Sequence, residues 1–259
     1  MLDRPTLQLT PIPGLPLIQP GADLAGLVLQ ALSTAGIHLS DGDILVLAQK
    51  IVSKAEGRLV NLESVTPSPA ALELAAQAAK DPRLVELILR ESSRVLRSRP
   101  GAIIVEHRLG FVCASAGIDH SNVSAPNGQP GEWVLLLPAD PDATARRLRD
   151  QLEAATGARL GVLIIDSHGR AWRLGTVGVA IGLAGIPALV DMRGWPDLFD
   201  FHLQITQLGA ADELAAAASL VMGQAAEGIP LVHVRGFPYP LREGALSELI
   251  RPREQDLFR

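Results

Sequence analysis

The chain has little of what would make its chemistry easy to name. It holds one cysteine, Cys113, among 259 residues. That excludes an internal disulfide framework and any Cys-cluster metal site, so a metal would have to sit on oxygen or imidazole ligands. Aromatic residues make up only 3%, which leaves a core of Ala, Val, Leu and Ile. Long hydrophobic runs are missing as well: segments such as Trp133–Leu137 and Leu160–Ile165 fall far below the roughly 20 residues of a membrane-spanning helix. No basic-then-apolar signal pattern opens the chain, so the expectation is a cytoplasmic protein that does not engage a membrane. Positive charge is not in excess either. A net charge of −5 argues against a general electrostatic grip on nucleic acid, while leaving room for a local basic pocket.

Lysine is scarcer still. Three lysines, Lys50, Lys54 and Lys80, stand against twenty arginines, and two of the three are four residues apart. Either a base-composition bias left chance survivors, or a compact ammonium was kept where it serves a phosphate as a point charge. The count alone leaves both open.

What is present is a globular composition, 47% apolar and 20% charged, in a chain long enough for a full core. After a Pro/Gly-rich entry (Pro11–Pro20), Asp23 caps an expected helix that stops at Gly36. Asp43–Ala48 reads as a short buried strand, with Ser53–Arg58 as its polar end and a turn. Pro67-Ser68-Pro69 opens an Ala-rich helix to about Lys80, and Asp81-Pro82 opens a second to about Ser93. Ala102–His107 and Gly110–Ala114 read as a hairpin, Gly117–Asn127 as a polar loop and Trp133–Leu137 as a strand. A helix follows from about Pro138 to Thr156, ended by Gly157, and Leu160–Ile165 is a buried strand that delivers Asp166 at its C-terminal end. A glycine-rich strand covers Thr176–Ile181, a helix covers Ala211–Met222, and Pro230–Arg235 is a last strand. Hairpins mixed with helix–strand alternation fit an α+β class, with a mixed sheet and flanking helices, better than a doubly wound sheet. The expected organisation is a single unit, 1–259, of two packed subdomains, roughly 1–68 with 158–259 and 69–157.

Two polar segments could carry chemistry. Asp166-Ser167 at a strand end offers oxygen ligands that suit Mg²⁺ or Mn²⁺, although an isolated Asp-Ser more commonly closes a turn. A second loop sets a carboxylate, Asp119, three residues before a carboxamide, Asn122, and Asp119 could join Asp166 at a divalent ion, against the alternative of an Asx turn. His120 and His168 have no zinc-ligand spacing and read as surface or supporting residues. Neither Gly-x-Ser-x-Gly nor a P-loop occurs, and Gly178, Gly182 and Gly185 lack dinucleotide-binding spacing; close backbone packing explains them better. A nucleotide, if bound, needs an unusual phosphate cradle.

Taken in order, Gly42–Arg58 (GDILVLAQKIVSKAEGR), His107–Val123, Leu135–Arg149, Ile164–Ile186 (IIDSHGRAWRLGTVGVAIGLAGI) and Ala211–Gly223 resemble the coenzyme F420-0:L-glutamate ligase (F420-0 gamma-glutamyl ligase) family. The resemblance spans about Leu15 to Phe237. It implies a homodimeric, mixed α/β enzyme that uses GTP and a divalent metal to add L-glutamate to the carboxylate of a deazaflavin, coenzyme F420-0 or its dehydro form, and then further γ-linked glutamates. It implies two ions, Mn²⁺ or Mg²⁺, with K⁺ as a further candidate. By position, Asp119 and Asp166 match metal-binding, catalytic aspartates, and Ser167 matches a ligand of the second metal. Gln49, Lys50, Lys54 and Asn122 match GTP contacts, as do Leu15, Pro16, Leu17 and Ile18. So do Met222, Gly223, Gln224, Ala225, Ala226, Glu227, Gly228 and Ile229. Gln224 stands where related sequences often carry Glu as a second-metal ligand, so it offers a carbonyl oxygen with one negative charge fewer. The competing expectations are a metal-dependent nucleotide hydrolase or phosphotransferase acting on another substrate, and a GTP-binding module without catalysis.

Overall fold

The computed structural model describes residues 6–256. In chain order its strands are β1 (Gln8–Pro11), β2 (Ile44–Ala48), β3 (Leu59–Asn61), β4 (Ser92–Arg99), β5 (Ala102–His107), β6 (Val112–Ala114), β7 (Trp133–Leu135), β8 (Gly161–Gly169), β9 (Thr176–Ala184), β10 (Val190–Asp191), β11 (Gln207–Leu208) and β12 (Leu231–Arg235). Its α-helices are α1 (Leu24–Thr34), α2 (Gln49–Ala55), α3 (Pro69–Ala78), α4 (Pro82–Arg90), α5 (Pro141–Thr156) and α6 (Ala210–Met222).

The main sheet runs β1-β12-β2-β8-β9. Only the β2–β8 pair is parallel, so the sheet is mixed and the α+β reading holds. Burial on both faces explains why β2 and the first half of β8, up to Ile165, are apolar at every position. Leu45, Leu47, Val162 and Ile164 face a core formed with α1 and α5, while Ile44, Val46, Leu163 and Ile165 face α6 on the other side. A third core, drawn from residues 62–136, joins α3 and α4 to the β4-β5-β6 sheet. Phe111 packs against all three. Two glycines of β9 are set by close approach: a Cβ on Gly178 would lie 2.4 Å from the Ala215 carbonyl, and one on Gly182 would lie 2.5 Å from Pro141.

Asp23 and Asp81 cap where the sequence places them, accepting from Gly26 N and Arg83 N, and Gly157 ends α5 with φ +75°. Helix α5 starts at Pro141, not near Pro138, because Asp140 accepts from Ala143 N as its cap. Three further expectations are corrected. Ser53–Arg58 reads as strand end and turn, but β2 gives way to a helix over Gln49–Ala55; Ile51, Val52 and Ser53 are buried, and only its polar side faces outward. Helix α4 stops at Arg90, and Ser92–Arg99 is an edge strand whose exposed arginines disguise it. Strand β8 does not end before Asp166 but continues to Gly169, paired to β9 across a register shift at Ile164/Ile165. The strands β1 and β3 carry no recognisable pattern. Among the described residues no helix is long and apolar enough to cross a membrane.

Candidate active site

The C-terminal ends of the parallel pair β2 and β8 open into a cavity of about 900 Å³. Every residue that the resemblance matched to a metal or GTP position lines it: Leu15–Ile18, Gln49, Lys50, Lys54, Asp119, Asn122, Asp166, Ser167 and Met222–Ile229. Lys80 and His120 do not. The walls come from five separated stretches of chain, and each is fixed locally.

The helix α2 starts directly where β2 ends. Its 3.6-residue period sets Lys50 and Lys54 on one face. Gln49 is buried and accepts from Ser53 Oγ at 2.8 Å, which turns its amide nitrogen toward Asp119 Oδ2 at 2.6 Å. Lys50 Nζ lies 3.2 Å from the other oxygen, Oδ1, and donates to the Ser121 carbonyl and hydroxyl at 3.1 Å each. Lys54 Nζ donates to the Asn122 carbonyl at 2.8 Å, and Asn122 Nδ2 donates to the Ala225 carbonyl at 3.0 Å. The backbone of Asp119 is pinned to Leu135 of β7 by two 2.9 Å hydrogen bonds. One polar chain thus runs from α2 through the 119–122 loop to the loop after α6. Ser121 was not singled out from the sequence; its neighbours Asp119 and Asn122 were the only signal.

Opposite, β8 presents Asp166 and Ser167 just past its register shift, a device that re-aims side chains near functional sites. Because β8 continues, Asp166 and His168 fall on one face, and His168 Nε2 sits 3.0 Å from Asp166 Oδ2. Phe111 backs the His168 ring at 5.2 Å and stacks on the buried His107 at 5.1 Å. Burial holds His107 neutral, its pKa drawn down to about 4. Ser167 Oγ donates to Gln224 Oε1 at 2.8 Å, so the two side chains sit together. Glu227 folds back on its own loop, accepting from Ala225 N at 2.7 Å.

The electrostatics are uneven. Burial pushes the Asp119 carboxyl above the ordinary carboxylate range; Lys50 opposes the rise and the charge of Asp166 adds to it. Burial, reinforced by the neighbouring Lys50 charge, pulls the Lys54 ammonium below its ordinary value. Cys113, also in the lining, is pushed up to about 12 by burial and is held as a thiol, not a nucleophile. The donor set is therefore two carboxylates, a hydroxyl and an amide carbonyl, all hard oxygen. Among the described residues no group of three or more His, Cys, Asp or Glu could hold a metal. A divalent ion here would complete its shell with ligand phosphate oxygens and water, the habit of Mg²⁺ and its kin beside nucleotides. The residues present fit such an ion, because Asp119 and Asp166 both line the cavity, near enough for the Asp166 charge to act on Asp119, and only Asp119 is paired with a lysine.

Comparison with known proteins is consistent over nearly the whole chain. Residues 14–236 match the family model described as F420-0:Gamma-glutamyl ligase. The chain is similar to the protein named Coenzyme F420:L-glutamate ligase of Methanothermobacter thermautotrophicus, at 49% identity over 98% of this chain and 99% of the relative. It is similar to the proteins of the same name from Methanopyrus kandleri, at 46% over 98% of each chain, and from Archaeoglobus fulgidus, at 42% over 98% of this chain and 96% of the relative.

Proposed function

The chain belongs to the F420-0:gamma-glutamyl ligase family, and from that premise we propose that it joins L-glutamate to coenzyme F420-0, or to its dehydro form, at the expense of GTP. The observation that carries this reading is the cavity itself. Five distant stretches of sequence converge on it, bringing together two lysines and two aspartates, and no nucleophile motif accompanies them.

A carboxylate is a poor acceptor for an amine because oxide is a poor leaving group. In the proposed course, a carboxylate oxygen of F420-0 attacks the γ-phosphorus of GTP, the bond to the β-phosphate oxygen breaks, and GDP leaves. The glutamate amine then attacks the acyl phosphate carbon, an amide forms, and phosphate departs with the former carboxylate oxygen. Phosphoryl transfer asks for positioning and charge neutralisation, not for a covalent protein intermediate. Lys50 and Lys54 supply positive charge for the phosphates, and Asn122 ties the 119–122 loop to the loop after α6 so that both close on the nucleotide. Asp119 and Asp166, with Ser167 and Gln224, would hold Mn²⁺ or Mg²⁺. When bound, such ions neutralise phosphate oxygens and orient the triphosphate. Gln49 keeps the Asp119 carboxylate facing the cavity.

The same proposal takes the protein as a homodimer. Trp195, Leu198, Phe199, Phe201 and Ile205 stand exposed between β10 and β11, Leu198 at 96% and Phe199 at 89%. The polar groups of that loop are satisfied within it: Arg193 Nε donates to Asp191 at 2.8 Å, and Asp197 Oδ1 accepts from Phe199 N at 2.8 Å and Phe201 N at 2.9 Å. Five large apolar side chains exposed together on one loop support a protein partner surface.

Isotope transfer tests the chemistry. F420-0 labelled with ¹⁸O in its carboxylate should pass one labelled oxygen to each phosphate released. Unlabelled phosphate accompanying amide formation would exclude the acyl phosphate. GTP turnover that ignores glutamate and F420-0 would favour a hydrolase.

A further inference from the structure

The residues that face nucleotide and metal leave unassigned the element that receives the deazaflavin. The connection between β8 and β9 has the chemistry for it. Gly169 and Thr176 are paired across the hairpin, and both line the cavity. The residues between them, 170–175, are all exposed and form its rim. Their sequence is Arg-Ala-Trp-Arg-Leu-Gly.

Three features set this loop apart. Trp172 is 91% exposed and Leu174 99% exposed, in a chain that has only three tryptophans. Trp172 is held at φ +64°, a conformation that is strained for a bulky residue and that a fold keeps where a side chain must be aimed. Arg170 and Arg173 flank the indole, and among the described residues neither guanidinium has a hydrogen bond or an ion pair; only their backbones meet, Arg173 N to Arg170 O at 3.4 Å. The 192–206 loop differs in this respect: it too exposes apolar side chains, but its Arg193 is neutralised by Asp191. An aromatic face between two unneutralised guanidiniums complements a flat, anionic ligand, since the ring offers stacking and the arginines offer charge.

We propose that this loop is the acceptor-binding rim: Trp172 stacks on the deazaflavin ring system, and Arg170 and Arg173 grip the anionic chain that leads its carboxylate into the cavity beside Asp166. The inference rests on the ligase reading above.

The test is direct binding of F420-0, followed by the anisotropy of its own fluorescence with GTP and Mn²⁺ titrated separately, on wild type, Trp172→Ala, Trp172→Phe and the double variant Arg170→Ala/Arg173→Ala. Trp172→Ala should weaken F420-0 binding about 5- to 100-fold, the range for loss of one stacking partner. Trp172→Phe should restore most of it. The arginine pair should weaken binding by at least about tenfold, with a shallower salt dependence than wild type, and GTP affinity and sedimentation should match wild type throughout. Unchanged F420-0 affinity in both the alanine variants would overturn the proposal. So would a changed sedimentation coefficient, which would make the loop a subunit contact. A wild-type protein that neither binds nor extends F420-0 would overturn the ligase reading itself, an outcome visible before any variant is made.

Discussion

The two ends of β2 each hold a buried or largely buried carboxylate, and they are treated in opposite ways. Asp43, just before the strand, is 1% exposed. Arg235 donates to it from Nε at 2.8 Å and Nη2 at 2.6 Å, Ser40 N donates at 2.9 Å, and His233 Nε2 lies 2.9 Å away. Burial alone would raise its pKa, but these partners prevail and hold it below the ordinary value. At the other end, Asp119 receives one amide and one ammonium, and burial prevails, with the nearby Asp166 charge adding to it. A carboxylate with enough partners ties the fold together; one with too few is set to receive a cation.

The largest effect that could break this contrast lies at the cavity end. Asp119→Asn and Asp166→Asn should each lower GTP turnover about 100- to 1000-fold, the scale on which removing one electrostatic contact of a transition state registers. Asp119→Asn should nevertheless melt no lower than wild type without metal, since it removes an ionisation that folding opposes. Calorimetry and a coupled phosphate assay read both quantities; normal turnover would remove Asp119 from the metal site.

At the other end the pattern should invert. Asp43→Asn should cost about 2–3 kcal/mol of stability, the worth of its charge-assisted hydrogen bonds, with turnover per folded molecule unchanged. The sign in pH follows from a depressed native pKa. Unfolded Asp43 binds its proton more readily than native Asp43, so its contribution is present above the ordinary value of 3.8 and is lost as pH falls through the lower native value. Denaturant titrations of wild type and Asp43→Asn should therefore converge toward low pH, and parallel curves would contradict the assignment.

A smaller change sharpens the comparison. Lys54→Ala should raise the KM for GTP about tenfold or more, as loss of a charged hydrogen-bond donor does, and should leave the KM for glutamate near wild type. Equal effects on both substrates would point to a disturbed loop, since Lys54 also holds Asn122.

How much of this was legible in the sequence depends on how locally each feature is determined. The capped helices were readable because Asp23, Asp81-Pro82 and Gly157 act on adjacent backbone. The buried strands β2 and β8 announced themselves by apolar content. Helix α2 was hidden because its N-cap, Ala48, makes no side-chain cap bond and its polar side faces the cavity. That concealment mattered, since the spacing of Lys50 and Lys54 gains meaning only on a helix. The lysine count could not choose between bias and phosphate chemistry; two of the three lysines line the cavity and Lys80 does not. His168 could be joined to Asp166 only if β8 were known to run past it. The contacts Gln49–Asp119 and Asn122–Ala225 span 70 and 103 residues, and no local pattern encodes them.

The most direct measurement is the mass of the deazaflavin after incubation of the protein with GTP, Mn²⁺, L-glutamate and F420-0. The account predicts glutamate-sized increments on F420-0, one GDP formed for each, and none when Asp119→Asn replaces the wild type. An unchanged F420-0 mass, with GTP consumed at the same rate whether or not glutamate and F420-0 are present, would contradict it.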